Sequence, residues 1–205
     1  MPVRNVGNLL ACEKSGRPNA ILFGVGHSGT SVVTRMLHAM GWEAGDADDE
    51  YAESVSLRAI NEQAIRGQFD SEAARRVLAS LAQPWAIKDP RLVHTIDRWM
   101  PLFREYEPTM IWLVRDTDAV VESYRRRGER MRFGMSVEDA IELARGTFGR
   151  WPWGKVRVEY ERVREAVGLF DGLRDVRESS GRRRTNSTAA MQLSEKVGNG
   201  QVAET

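Results

Sequence analysis

The sequence predicts an α/β protein built on a parallel β-sheet flanked by helices. Three observations predict it. Short apolar runs of strand length recur at residues 20–25, 85–87, 109–114 and 155–160. Longer segments with apolar residues at helical spacing separate them, the alternation expected of parallel strands covered on both faces. Three of the four runs also end in short motifs of glycine, hydroxyl and charged residues, at the strand ends where open α/β sheets hold their ligands.

Residues 1–18 are mixed and polar and read as an N-terminal extension. The run 20–25 is a buried strand. It passes through the small-residue loop Gly26, His27, Ser28, Gly29, Thr30, Ser31 into a helix marked by Val32, Val33, Met36, Leu37 and Met40, which Gly41 ends. Residues 43–52 are acidic and read as a loop, and residues 53–82 as helix. The strand at 85–87 closes on Lys88, Asp89, Pro90 and Arg91, and a helix follows from Leu92 to Phe103. The strand at 109–114 runs into Arg115 and Asp116, then a helix from Asp118 to about Arg130. Another helix spans 136–149. Residues 155–160 alternate as a strand does, and 161–173 read as a last helix. Beyond about 176 the chain is rich in Ser, Gly, Asn, Arg and Thr, the composition of a flexible tail. The expected organisation is one α/β domain over 19–175, with a tail over 176–205.

The chain has 205 residues, enough for one domain with a real core. Its 30 basic and 29 acidic residues nearly cancel, so no global charge draws it to nucleic acid or to a membrane surface. No apolar run approaches the ~20 residues of a membrane span. No basic region followed by an apolar stretch marks a signal peptide. A single cysteine, Cys12, excludes an intrachain disulfide. The expected location is the cytoplasm. Nothing in the sequence points to a particular oligomeric state.

The loop after the first strand carries the chemistry. A helix N-terminus presents unpaired backbone N–H groups and the positive end of the helix dipole. Glycines let a ligand approach the backbone, and Thr30 and Ser31 add hydroxyls. The loop is a phosphate grip by mechanism. The frame Gly24-Val25-Gly26-His27-Ser28-Gly29 keeps the end glycines of the GxxxxGK[ST] pattern, but Thr30 stands where the lysine belongs. That argues against ordinary ATP or GTP hydrolysis. Lys88-Asp89-Pro90-Arg91 and Arg115-Asp116, with Ser123 beyond, place further charges and hydroxyls at the same edge of the sheet.

With these motifs together the chain resembles the sulfotransferases that use 3′-phosphoadenosine 5′-phosphosulfate (PAPS), particularly their bacterial relatives, over about residues 20–175. The resemblance implies a P-loop-like three-layer α/β/α sandwich. It implies that residues 26–31 hold the 5′-phosphosulfate and that Arg115 and Ser123 hold the 3′-phosphate. It implies Glu53 as the general base that takes the acceptor's proton, with Lys88 and His27 as charge-stabilising catalytic residues and no metal. The acceptor would be a small molecule or glycan bearing a hydroxyl or amine; no nucleic-acid partner is expected. His27 departs from the pattern, since relatives carry Lys or Arg there, and an unperturbed imidazole of pKa about 6.5 is largely neutral at pH 7. Thr117 stands where a proline is usual. The basic glycine loop that cytosolic relatives place near the C-terminus has no clear counterpart.

Two other readings remain. A P-loop phosphotransferase, acting as a nucleotide or metabolite kinase, would need Mg²⁺ held by Thr30 or Ser31 and a strand-end acid such as Asp89. A non-catalytic member of the fold would bind a nucleotide only. Two further features have structural and functional readings. The arginines at 125, 126, 127, 130 and 132 form a solvated helix face or a field for a polyanion. Trp151 and Trp153 pack a core edge or line an acceptor pocket.

Overall fold

The protein's structure, a computed structural model, describes residues 18–128 and 134–168. The extension expected over 1–18, save Pro18, the tail expected over 176–205, and Cys12, Arg130 and Arg132 all lie outside the described residues. The last helix is described to Gly168, short of the 173 expected.

Four strands form one all-parallel sheet in the order β2-β1-β3-β4: β1 Ala20–Phe23, β2 Ala86–Lys88, β3 Thr109–Val114 and β4 Lys155–Glu159. The register pairs Leu22 with Lys88 and with Ile111, and Trp112 with Arg157. Among the described residues seven helices connect them: α1 Thr30–Ala39, α2 Val55–Ile65, α3 Ser71–Ser80, α4 Leu92–Phe103, α5 Thr117–Arg126, α6 Val137–Arg150 and α7 Tyr160–Gly168. The chain leaves β1 towards β2 on one side and reaches β3 on the other. The C-terminal end of β1 is thus a point where crossovers diverge, the place such sheets keep for ligands.

Period-two alternation sorts the strands into two cores. Ile21, Phe23, Ile87, Met110 and Trp112 face one side, where α2, α3, α4 and α6 supply Leu57, Leu78, Trp99, Phe103 and Ala144. Ala20, Leu22, Ile111, Leu113, Val156 and Val158 face the other, where α1 and α7 supply Val33, Leu37 and Val163. Helices therefore cover both faces of β1, β2 and β3, while β4 alternates and leaves Lys155 and Arg157 exposed. A smaller cluster of Val25, Val120, Val137 and Ala140 joins the loop after β1 to α5 and α6. Trp151 belongs to the first core, where its indole N–H donates to the Pro108 carbonyl at 3.1 Å and its ring packs edge-on against Phe103 and Trp153.

Strand β3 and helix α4 have the predicted bounds. The segment 53–82 does not: it forms two helices, not one. Gly67 adopts φ 88° and donates its N–H to Ala64 at 3.0 Å, closing α2 in a conformation that costs glycine little. Asp70 then caps α3, accepting from the N–H groups of Glu72 and Ala73 at 3.0 and 2.9 Å. No helix among the described residues is long and apolar enough to cross a membrane.

Candidate functional site

The C-terminal ends of β1, β2 and β3 open on a cavity of about 460 Å³. Its floor is the loop after β1 and the first turn of α1. Gly29 precedes α1 at φ 93°, and no side chain caps the helix. The N–H groups of a helix's first turn have no intrahelical partner, so this terminus faces the cavity with its donors and its dipole. Two glycines are needed by neighbours. A Cβ on Gly29 would lie 2.0 Å from the Tyr160 ring, and one on Gly26 would lie 2.3 Å from the Tyr124 hydroxyl.

The predicted residues divide. Gly26, His27, Gly29, Thr30, Ser31, Glu53, Arg115 and Ser123 line the cavity together. Ser28 does not: it is buried and donates its hydroxyl to the Val25 carbonyl at 2.7 Å, which shapes the loop from behind. Lys88 is also buried, at 3% exposure. It lies under the α1 N-terminus.

His27 sits at φ 64°, an uncommon region for a residue with a side chain. Three contacts hold it there. Arg115 Nη1 donates to the His27 carbonyl at 2.9 Å, the imidazole Nδ1 lies 3.1 Å from Ser123 Oγ, and the ring meets Tyr124 edge-on with centroids 4.1 Å apart. The ring therefore reaches α5 and stands beside Ser123. Arg115 is half-buried, with its guanidinium 4.7 Å from the centre of the Tyr160 ring. Its Nε is buried and has no hydrogen-bond partner.

The opposite wall is a dense polar network in which Arg91 Nε is buried without a partner. Lys88 Nζ donates to Ser31 Oγ at 3.0 Å, to the Tyr51 carbonyl at 2.9 Å and to Glu53 Oε1 at 2.9 Å, which uses all three of its donors. Burial pulls the Lys88 pKa down against the opposing pull of Glu53. Glu53 Oε2 accepts from Arg91 Nη1 at 3.2 Å. Arg91 also reaches Asp89 Oδ1 at 2.9 Å and Glu62 at 3.0 Å. Its burial favours the neutral form, but Asp89 and Glu53 outweigh that and hold its pKa above the ordinary value. Asp89 Oδ1 takes a second bond from the Arg91 N–H, and Oδ2 accepts from Asn61 Nδ2 at 2.9 Å. Burial pushes the Asp89 carboxyl up despite these donors. Asn61 Oδ1 in turn accepts from Thr95 and Trp99, each at 2.7 Å.

Chain geometry delivers Glu53 to this network. Asp46 accepts from Ser54 Oγ and the Ser56 N–H, Asp48 accepts from the Tyr51 N–H, and Arg35 on α1 donates to the carbonyls of Asp49 and Glu50. The acidic segment is thus a folded bracket between α1 and α2. The strand-end acid considered as a Mg²⁺ ligand, Asp89, has a fully buried side chain bonded by Arg91 and Asn61 and does not line the cavity.

Sequence reasoning missed Asn61, Tyr124 and Tyr160, and quoted Arg91 without a role. Asn61 carried a signal: a polar residue one turn from Leu57 on the apolar stripe of α2. Tyr160 carried another, as the residue after the fourth strand at the same sheet edge. No protein-family model matches the chain, and comparison with curated proteins gives no match.

Proposed function

We propose that the chain is a PAPS-dependent sulfotransferase, moving a sulfuryl group to a hydroxyl or amine acceptor by in-line transfer. One observation carries the reading. A single cavity joins an uncapped helix N-terminus, fit for one phosphate-like group, to Arg115 and Ser123, fit for a second, and among the described residues no carboxylate pairs with Arg115. That guanidinium and the glycine-floored loop fit a ligand with two separated anionic groups.

On this reading the loop 26–31 holds the 5′-phosphosulfate, and Arg115 and Ser123 hold the 3′-phosphate through the planar fork and hydroxyl suited to it. The cofactor supplies an activated sulfuryl group. The chain positions and neutralises. The α1 N-terminus, Thr30 and Ser31 bind the group to be transferred. Lys88 locks the Ser31 hydroxyl and Glu53 in one frame. Glu53 has two of roughly four lone-pair sites filled by Lys88 and Arg91, which leaves capacity to accept the proton of an acceptor hydroxyl. His27 braces Ser123 and Arg115.

Thermal unfolding with 3′-phosphoadenosine 5′-phosphate, ATP and Mg-ATP tests the reading. Stabilisation by the first without metal is expected, since a ligand that binds only the native state raises its stability. Arg115→Ala should remove most of that shift. A shift with Mg-ATP and none with 3′-phosphoadenosine 5′-phosphate would leave a phosphotransferase as the better reading.

A further inference from the structure

The arginine run after Ser123 separates in the structure. Arg125 pairs with Glu122 at 2.6 Å and is exposed. Arg126 is exposed and does not line the cavity. Arg127 does line it. The reason is helical geometry. Arg127 follows Ser123 by four residues and donates its backbone N–H to the Ser123 carbonyl at 3.3 Å, so both lie on one face of α5. Among the described residues no carboxylate pairs with Arg127, in contrast to Arg125.

Arg127 thus lines the cavity one turn beyond Ser123, and Arg115 lines it beside His27, whose ring stands against Ser123. The carboxylates that line the cavity, Glu50 and Glu53, belong to the segment that runs from the acidic loop into α2. Two fixed positive charges match a phosphate monoester, which carries about −1.5 to −2 near neutral pH. A ribose hydroxyl at the same place would leave both cations uncompensated. We propose that Arg127 is a specificity-determining residue: with Arg115 and Ser123 it makes the site require a phosphate monoester on the ribose and reject nucleotides that have a hydroxyl there. This inference rests on the functional reading above. It supplies from α5 a cation on the ribose side.

Titration calorimetry with two ligands that differ only in that phosphate tests it: 3′-phosphoadenosine 5′-phosphate and adenosine 5′-monophosphate. The full chain should prefer the first. Arg127→Ala should weaken the first about tenfold and the second less than about twofold, the size expected for loss of one exposed charge-assisted contact. Arg127→Lys should recover part of the preference, and Arg125→Ala should match the parent. Unaltered thermal unfolding of Arg127→Ala would exclude misfolding. A parent that binds both ligands equally would overturn the functional reading and this inference with it. A parent with the preference, retained within about twofold in Arg127→Ala, would overturn the inference alone. Equal weakening of both ligands, or the same loss in Arg125→Ala, would assign Arg127 to general attraction of anions and overturn it too.

Discussion

The two walls of the cavity are built on opposite principles. On the β2 side, the cations Lys88 and Arg91 are answered by the carboxylates of Glu53 and Asp89, Asn61 bonds Asp89, and Lys88 has no donor left over, although Arg91 Nε is buried without a partner. On the β3 side, Arg115 keeps a buried donor without a partner, and Arg127 faces the cavity without a carboxylate. A buried Nε without a partner occurs in both walls, on Arg91 and on Arg115, so what separates them is charge: the β2-side cations face carboxylates and, among the described residues, the β3-side cations do not. The first wall is charge-compensated from within the chain and the second is not. Substitutions in the first should show up as stability, and in the second as affinity.

The sharpest break in that division comes from Glu53→Ala. It leaves Lys88 and Arg91 buried beside an empty position. Removing one partner from a buried charge network costs about 3–5 kcal/mol, and Glu53 answers two cations rather than one. Chemical denaturation should show a loss of that order. A loss below about 1 kcal/mol would mean that water already relieves these charges and that the wall is not compensated from within the chain.

Asn61→Leu comes next. The shape is nearly kept, and Thr95 can turn its hydroxyl wholly to the Arg91 carbonyl, which it already reaches at 3.2 Å. Trp99 Nε1 and Asp89 Oδ2 have no such alternative shown. Two weakened buried groups suggest a cost of about 2 kcal/mol, read by the same denaturation. Arg115→Ala stands on the other wall. It loses the bond to the His27 carbonyl and the Tyr160 contact but also removes the unsatisfied Nε, so the net change should stay within about 1 kcal/mol. Its binding of 3′-phosphoadenosine 5′-phosphate should nonetheless collapse. A large stability loss there would erase the contrast between the walls.

The β3-side wall was more legible in the sequence than the β2-side one. Glycines and hydroxyls between a strand and a helix mark the loop after β1 locally, and Arg115 and Ser123 lie within nine residues of each other. The β2-side wall is non-local: Glu53 meets Lys88 across 35 positions and Asn61 meets Asp89 across 28. No periodicity reports such pairs. Strand β3 and helix α4 were legible because their apolar patterns are long and uninterrupted. The break between α2 and α3 was missed although Gly67 and Asp70 marked it, because the apolar spacing of the two helices runs on across the five residues 66–70, where Phe69 also packs against the core. Arg127 was visible only as one of a run, and the rotation of α5 picks it out.

The smallest expected effect lies outside both walls, where α1 packs on the start of β2. His38, in the last turn of α1, has its Nε2 at 2.8 Å from the carbonyl of Ala86 in β2. Burial lowers its pKa below the ordinary value of about 6.5, against smaller opposing pulls from that carbonyl and from Glu43. The unfolded chain therefore takes up a proton first as pH falls. Between the folded and unfolded pKa values the unfolded state holds more protons, and stability rises with pH across that window. The stabilisation is complete above about pH 6.5 and declines on acidification below it. His94, lining the cavity from α4, is lowered by burial in the same sense and adds to the slope. His38→Gln keeps an N–H where Nε2 donates but cannot titrate. The stability difference between parent and His38→Gln should be flat from pH 7 to 8 and shift in favour of the variant towards pH 5, by less than either network substitution costs. A difference that stays constant from pH 5 to 8 would show that the α1–β2 contact accommodates a charged imidazole.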